Sequence, residues 1–210
     1  FVDAVVTAIQ RNSIDAVLPM TEITTLLLTE HRDRLPAGCR LPFASADSIS
    51  CASDKLAMIR LAQGLDVPVP ATMVLNAPGD AIGIAPPFDF PMVVKPARSR
   101  VRTPDGWHSS SVTYARDIDE LGAKLGALHP AAYPVMLQER IRGRGVGLFA
   151  CYMDGRPVAL FSHRRLREKP PSGGVSVLCE SVPLDDRAVL YAGRLLERLQ
   201  LPAVLAQPHH

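Results

Sequence analysis

The segment that most constrains the fold is a short apolar run bounded by prolines at residues 91–96, Pro-Met-Val-Val-Lys-Pro. An apolar run of this length between turn residues predicts a buried β-strand, and the second proline ends its hydrogen-bonded ladder. Lys95 would then lie at the end of a buried strand, where an ammonium group needs a partner. An ion pair, a snorkelling side chain and a bound anion are the alternatives.

The composition is that of an ordinary globular chain: 210 residues, 47% hydrophobic, with a mean hydropathy of +0.11. The net charge of +2 gives no reason to expect a nucleic-acid or anionic-membrane partner. Basic residues do cluster locally, at residues 98–102, 140–144 and 164–169, which favours phosphate or carboxylate binding. No apolar run reaches the length of a membrane span. Because the cysteines show no metal-ligand spacing, we expect reduced thiols and a cytoplasmic protein.

The first fifty residues alternate helix and strand patterns. Apolar residues recur at helical spacing over residues 2–9, and residues 14–19 then predict a short parallel-type strand. Thr21 is a candidate cap for a second helix, and residues 41–44 predict a further strand. This alternation predicts the final part of a Rossmann-like domain.

A helix is predicted over residues 54–65, with Ser53 as its cap. Lys55 lies in the first turn, where the helix dipole already favours an anion. A phosphate bound there would contact both the lysine and the helix terminus. A surface lysine on a helix is the alternative.

Residues 71–139 predict a small α+β unit. Asp117, with Glu120 three positions later, forms a capping-box pattern at the start of a helix. Strands are predicted at residues 72–75, 112–114 and 134–137, in addition to the strand of Lys95. Residues 97–111 predict a flexible loop whose small donors, Ser109, Ser110 and Ser111 among them, are suited to wrapping phosphates. A generic surface loop is the alternative, and no P-loop or dinucleotide pattern is present.

The last third begins with two strands, residues 146–153 and 157–162, joined by an Asp-Gly turn. Both faces of each strand are apolar, so we expect them to be covered on two sides. The sequence then turns basic at residues 163–169, which predicts an anion-binding edge. His163 is not interpreted as catalytic. A glycine-containing turn, a strand at residues 175–181 and a helix at residues 185–199 follow.

These segments, in this order, resemble the ATP-grasp superfamily and specifically its carboxylate-amine ligase-like branch. The motifs that carry the resemblance are Asp-Lys-Leu at 54–56, Val-Pro-Val-Pro at 67–70, Val-Lys-Pro at 94–96, Leu-Gln-Glu-Arg-Ile at 137–141 and Ser-His-Arg-Arg-Leu-Arg-Glu at 162–168, running into Pro-Pro-Ser-Gly-Gly at 170–174. The resemblance implies an α/β and α+β architecture, an ATP-grasp fold preceded by the tail of a Rossmann-like domain. It implies three parts: residues 1–50, then a linker helix and small lid at 51–138, then the first part of the large subdomain at 139–210.

The resemblance also implies a set of site residues. The residues expected to bind ATP are Lys55, Lys95, Ser109, Ser110, Ser111, Gln138, Glu139, Arg140 and Ile141. The residues expected to act on or hold the acyl phosphate are Arg165 and Arg167 as catalytic groups, and Arg164, Ser172, Gly173 and Gly174 as substrate ligands. Relatives place a Glu on the ribose where this chain has Gly145.

The activity implied is ATP-dependent activation of a small-molecule carboxylate as an acyl phosphate, which an amine or similar nucleophile then attacks. Mg²⁺ is expected as a cofactor, with ligands beyond these residues, since Glu197 is the last acidic residue and Gln207 is a poor ligand for a hard cation. We therefore expect a chain truncated at both ends and without turnover. Two alternatives stay open: an inactive nucleotide-binding module, and a bicarbonate-phosphorylating enzyme of the biotin carboxylase or carbamoyl-phosphate synthase type.

Overall fold

The strand that carries Lys95 lies inside a four-stranded antiparallel sheet. The structure is a computed structural model that describes residues 1–81, 83–153, 156–170 and 174–199. The chain divides into two units, one formed by Cys51–Arg142 and the other by Phe1–Ser50 with Gly143–His210. We call them the central unit and the composite unit. The three-part division expected from the sequence stays a prediction.

The central unit contains two α-helices and six strands. The helices are α4 (Lys55–Gly64) and α5 (Ile118–Gly126), and short 3-10 turns occupy Pro78–Ala81 and Pro130–Ala132. The strands are β1 (Thr72–Leu75), β2 (Met92–Pro96), β3 (Arg100–Thr103), β4 (Gly106–Ser109), β5 (Thr113–Ala115) and β6 (Val135–Gln138). The main sheet has the order β1-β6-β2-β5, while β3 and β4 form a separate hairpin.

The core of the central unit lies between this sheet and α5. Leu75, Met92, Val94, Leu121 and Leu137 are all buried there. The Asp117 carboxylate caps α5 by accepting from the Glu120 N–H at 2.8 Å, as the capping-box pattern predicts. Strand β5 pairs with β2 only as far as Val94, so Lys95 at the end of β2 pairs with β6 alone. Lys95 is nevertheless buried.

The composite unit contains the remaining elements. Its helices are α1 (Val2–Asn12), α2 (Glu22–Glu30) and α6 (Asp186–Leu199), with α3 (Ala46–Ser53) at its boundary. Its strands are β7 (Val146–Met153), β8 (Arg156–Lys169) and β9 (Val175–Val182), an antiparallel sheet in the order β7-β8-β9. Helix α6 packs on β7. It covers the face on which Leu148, Ala150 and Tyr152 are buried.

Several local predictions in residues 1–55 are wrong. Residues 14–19 form no strand, because their only ladder contact is a single parallel bridge between Ala16 and Arg40. Residues 41–44 form no strand either. Ser53 ends α3, a helix that the sequence patterns do not predict, and Asp54 caps α4 instead. The Rossmann-like assignment of residues 1–50 is not confirmed.

Two expectations about the sheets are also corrected. Within residues 97–111, for which the sequence predicts a flexible loop, residues 100–109 form the β3–β4 hairpin. The strands of the composite unit are not covered on both sides within the described residues, since their exposed apolar side chains are Val146, Val158, Phe161, Leu166, Val175, Val177 and Leu178. The Asp-Gly turn at residues 154–155 lies outside the described residues. None of the helices in the described ranges is both long and apolar enough to span a membrane.

Candidate functional site

Two lysines come together in the central unit. Lys95 is only 7% exposed at the end of β2, and Lys55 is the first residue of α4. Burial, and secondarily the positive charge of Lys55, lower the pKa of Lys95 from 10.5 to about 8. Because the two ammonium groups disfavour each other's charge, an anion placed beside them would stabilise both.

The start of α4 is tied to the segment that follows β2. The Lys55 backbone N–H donates to the Ala97 carbonyl at 2.8 Å, and the Lys55 ammonium donates to Ser99 Oγ at 2.8 Å. Arg98 Nε pairs with the Asp54 carboxylate at 3.2 Å, and Asp54 also caps the helix through the N–H groups of residues 56 and 57. These bonds bring Lys55 to the end of β2, a contact between residues distant in sequence.

The β3–β4 hairpin leads away from this point. At its base the Ser110 N–H donates to the Ser99 carbonyl at 2.9 Å. Ser109 and Ser111 are exposed, while Ser110 Oγ is buried without a hydrogen-bond partner among the described residues. The hairpin is also held from one side, because His108 stacks on His129 with ring centroids 4.5 Å apart.

The segment expected to face adenine begins with two residues that hold the sheet together. Gln138 is buried, and its side-chain amide donates to Thr72 Oγ1 at 2.9 Å. The Glu139 carboxylate accepts from the Ala71 N–H at 2.8 Å. Both side chains therefore have structural partners within the sheet.

The next two residues are more open. Arg140 lies over the Tyr114 ring, 5.4 Å from its centroid, and Ile141 is 65% exposed. Glu139 and Arg140 line one side of a cavity of about 440 Å³. Its other side is formed by residues 87–91, including Phe88 and Phe90. Phe88 and Phe90 also pack against the hydrophobic core of the central unit. A cavity with a carboxylate and two arginines, Arg140 and Arg142, in its lining is suited to a polar ligand.

The arginines of β8 lie in the composite unit and differ in their surroundings. Arg164 is directly opposite Glu180 on β9, and its Nε donates to that carboxylate at 2.8 Å. Arg165 is on the other face of the strand, where its Nη1 donates to the Gly174 carbonyl at 3.0 Å and to Glu168 at 3.2 Å. Arg167 is exposed between two register shifts. Of the three guanidinium groups, that of Arg164 is the one engaged in the cross-strand ion pair.

His163, for which the sequence predicts no catalytic role, is the most buried ionisable residue of the basic segment of β8. It is 7% exposed and lies within ring contact of Phe149, with centroids 5.1 Å apart. A signal for this environment exists in the sequence: Gly147, which pairs with His163, is the small residue that leaves room for the imidazole. The other expected substrate ligands, Ser172 and Gly173, lie outside the described residues, as does Gln207.

The described side chains do not assemble a metal site. Among residues 1–81, 83–153, 156–170 and 174–199, no group of three or more His, Cys, Asp or Glu side chains is placed to hold a metal ion. Ligands for the expected Mg²⁺ are therefore not found among these residues.

Comparison with known proteins gives a result only at the level of structure. No family model matches the chain, and no curated protein matches its sequence. An L-amino acid ligase from Bacillus licheniformis superposes with a TM-score of 0.63 at 13% identity, over 94% of this chain and 45% of that one. A D-alanine–D-alanine ligase from Bacillus anthracis, complexed with ATP, gives 0.60 at 16% identity, over 91% and 63%.

A third solved structure is the ADP complex of N5-carboxyaminoimidazole ribonucleotide synthetase, with a TM-score of 0.62 at 15% identity, over 93% of this chain and 54% of that one. The chain has the ATP-grasp fold. It spans about half the length of the ATP-grasp structures it matches. The ATP-grasp part of the predicted fold is thereby confirmed, the Rossmann-like tail is not, and the roles of individual residues stay predictions.

Proposed function

We propose that this protein binds ATP and uses it to activate a carboxylate as an acyl phosphate, which an amine or similar nucleophile then attacks. The observation that carries the proposal is the pair of lysines at the end of β2. Burial and mutual repulsion disfavour the charged form of Lys95, and a polyphosphate chain supplies the negative charge that would stabilise both ammonium groups.

The residues proposed to bind the nucleotide lie in the central unit. Lys55 and Lys95 bind the phosphates, and the hairpin with Ser109, Ser110 and Ser111 covers them. The backbone of residues 139–141 meets the adenine edge, while the Gln138 side chain holds the strand behind it. Two of the solved structures with this fold contain ATP and ADP respectively, which supports a nucleotide as the ligand.

The residues proposed for phosphoryl transfer belong to β8 and to the sequence that follows it, in the composite unit. A carboxylate oxygen attacks the γ-phosphorus of ATP and ADP leaves. The amine then attacks the carbonyl carbon of the acyl phosphate, phosphate leaves, the amine loses a proton, and an amide remains. Arg165 and Arg167 stabilise the charge on the transferred phosphoryl group, and Arg164, Ser172, Gly173 and Gly174 are the proposed substrate contacts. Positioning and charge stabilisation supply most of the catalysis in such chemistry. Mg²⁺ is part of the proposal as a charge-neutralising cofactor.

Calorimetric titration with a non-hydrolysable ATP analogue tests the nucleotide part. We expect Lys95→Met to weaken binding more than tenfold, which is about 1.4 kcal/mol. Lys124→Met is the matched control, because Lys124 pairs with Glu120 on the surface of α5, at 3.1 Å, and should bind normally. Equal affinities for all three proteins would rule out the lysine pair as a phosphate site.

Measurement of turnover tests the proposed activation of a carboxylate. Phosphate release from ATP that depends on an added carboxylate would support the ligase proposal. Nucleotide binding without such release, in protein extended to the length of the matched structures and supplied with Mg²⁺, would identify an inactive nucleotide-binding module instead.

A further inference from the structure

The exposed face of the β7–β9 sheet carries a cluster of rings. Phe149 and Phe161 are a cross-strand pair with ring centroids 6.0 Å apart, and the His163 imidazole lies 5.1 Å from Phe149 and 6.4 Å from Phe161. Directly paired residues lie on the same face of a sheet. The three rings therefore form one continuous surface, which we call the ring face.

The ring face is the side of the sheet opposite α6. Leu148, Ala150 and Tyr152 alternate with the ring-face residues along β7, and they are buried on the side where α6 packs. Phe161, in contrast, is 50% exposed. Aromatic rings favour offset or edge-to-face contact with a further ring, so the open half of Phe161 is a suitable contact for a planar group.

Glycines on β7 let the neighbouring side chains lie close against the sheet. A Cβ at Gly147 would lie 2.9 Å from Nε2 of His163, and a Cβ at Gly145 would lie 2.9 Å from Cδ of Arg165. Neither glycine has a positive φ, so the backbone itself does not demand them. Their effect is to let the His163 and Arg165 side chains lie directly against strand β7.

Two polar atoms on this face have no hydrogen-bond partner among the described residues. They are Nδ1 of His163 and Nε of Arg165. His163 is more than nine-tenths buried, and buried polar atoms in proteins almost always have partners. A ligand that lies over the ring face and brings a polar group to this point would supply one.

His163 and Arg165 are separated by one residue on a regular stretch of β8, so they lie on the same face about 7 Å apart. A carboxylate held at Arg165 would therefore have its side chain over the imidazole and Phe161. Resting on the proposed function, we propose that the carboxylate substrate carries a flat aromatic side chain, bound by Phe149, Phe161 and His163. The ring face is thus the specificity-determining part of the substrate site.

Titration with three amino acids tests this assignment in the presence of a non-hydrolysable ATP analogue and Mg²⁺. L-phenylalanine should bind about tenfold more tightly than L-alanine, and also more tightly than L-cyclohexylalanine, which has similar bulk without a π-system. Phe161→Ala should remove the preference and Phe161→Trp should keep it. Val158→Ala, a truncation at an exposed position on the same strand, should change nothing.

Equal affinity for L-phenylalanine and L-alanine, or absence of binding by either, would overturn the inference. So would a Phe161→Ala variant that is folded by circular dichroism and retains the preference. The ATP analogue is titrated alone against the same variants. Weaker analogue binding by Phe161→Ala, with phenylalanine binding intact, would assign the ring face to the nucleobase and reject the inference.

The same set of titrations keeps the two proposals apart. If Lys95→Met binds the analogue as tightly as the unmodified protein, the proposed function fails at the phosphate site, and the amino-acid preference still decides the ring face. If the analogue binds through Lys95 but no aromatic preference is found, the proposed function stands and the ring-face inference fails.

Discussion

Lys55 and Lys95 lie close enough in the central unit for the charge of one to lower the pKa of the other. Burial makes the larger contribution, and together they bring the pKa of Lys95 to about 8. A lysine with an ordinary pKa would be almost fully charged at pH 8. Lys95 instead changes charge near pH 8, so both the stability of the fold and its affinity for anions depend on pH above about pH 7.

The first prediction concerns stability. Below pH 8 Lys95 is charged in both states, so the folded protein bears the full cost of burying that charge. Between pH 8 and 10.5 the unfolded chain binds more protons than the folded one, so this group makes the free energy of unfolding rise with pH. Urea unfolding across this window should show the rise. Lys95→Met should lose that contribution and Lys124→Met should keep it; identical profiles for all three would contradict the assignment.

The second prediction concerns proton uptake. At pH 8 about half of the Lys95 side chains are protonated, and a bound phosphate chain favours the protonated form. Binding of the ATP analogue at this pH should therefore take up roughly half a proton. Calorimetry in two buffers with different ionisation enthalpies measures the uptake. The proton uptake should vanish at about pH 6, and it should also vanish in Lys95→Met. An uptake that persists in Lys95→Met would assign the proton to another group.

The third prediction concerns the glycine beneath His163. Gly147→Ala places a methyl group against an imidazole that is packed among Phe149 and Phe161. Such overpacking should cost about 1–3 kcal/mol in the free energy of unfolding. Gly143→Ala is the control, because nothing lies within 4 Å of its added Cβ. The two variants are compared by urea unfolding, and equal stabilities would mean that the imidazole moves aside without cost.

The fourth prediction separates the structural role of Glu139 from a direct role in binding. Its carboxylate accepts from the Ala71 N–H, so Glu139→Ala should lower stability by about 1 kcal/mol. Glu139→Gln keeps an acceptor oxygen and should recover most of that loss. Because the backbone is the proposed adenine contact, the affinity for the ATP analogue should change less than about threefold in either variant. A larger loss of affinity with unchanged stability would place the carboxylate on the ligand.

The fifth prediction distinguishes two neighbouring arginines. Arg165→Lys removes the planar fork that holds a phosphoryl or carboxylate group, and phosphate release stimulated by the carboxylate substrate should fall about a hundredfold. Arg164 is a proposed substrate contact that also pairs with Glu180. Arg164→Lys keeps a cation at this position and should lose less activity than Arg165→Lys. A similar loss of activity in the two variants would show that the two arginines, although on opposite faces of β8, contribute equally to catalysis.

The parts of the fold that are predictable from the sequence are those fixed by local pattern. The β2 strand follows from an apolar run between prolines, and α5 from its cap at Asp117 and its apolar face. The ATP-grasp fold follows from the order of five short motifs, none of which is specific alone.

The remaining features depend on contacts between residues distant in sequence. The bond from Ala71 to Glu139 joins residues 68 positions apart, and nothing near Glu139 indicates it. The β3–β4 hairpin depends on Gly106, whose φ of 125° is available to glycine, and on pairing that an arginine-rich segment does not suggest. Strand β8 continues through its basic residues because Glu180, on the next strand, compensates Arg164.

The hydrogen bond between Lys55 and Ser99 limits how this site can be re-engineered. An ammonium group has three N–H donors in all, and one of them is already committed to the base of the hairpin. At most two are left for any anion, so Lys55 serves as both an anchor and a ligand. A guanidinium group at position 55 would have more N–H donors, but they lie in one plane. It could not bond Ser99 and an anion in the directions that the ammonium group uses, so a change at this position would shift both the hairpin and the anion.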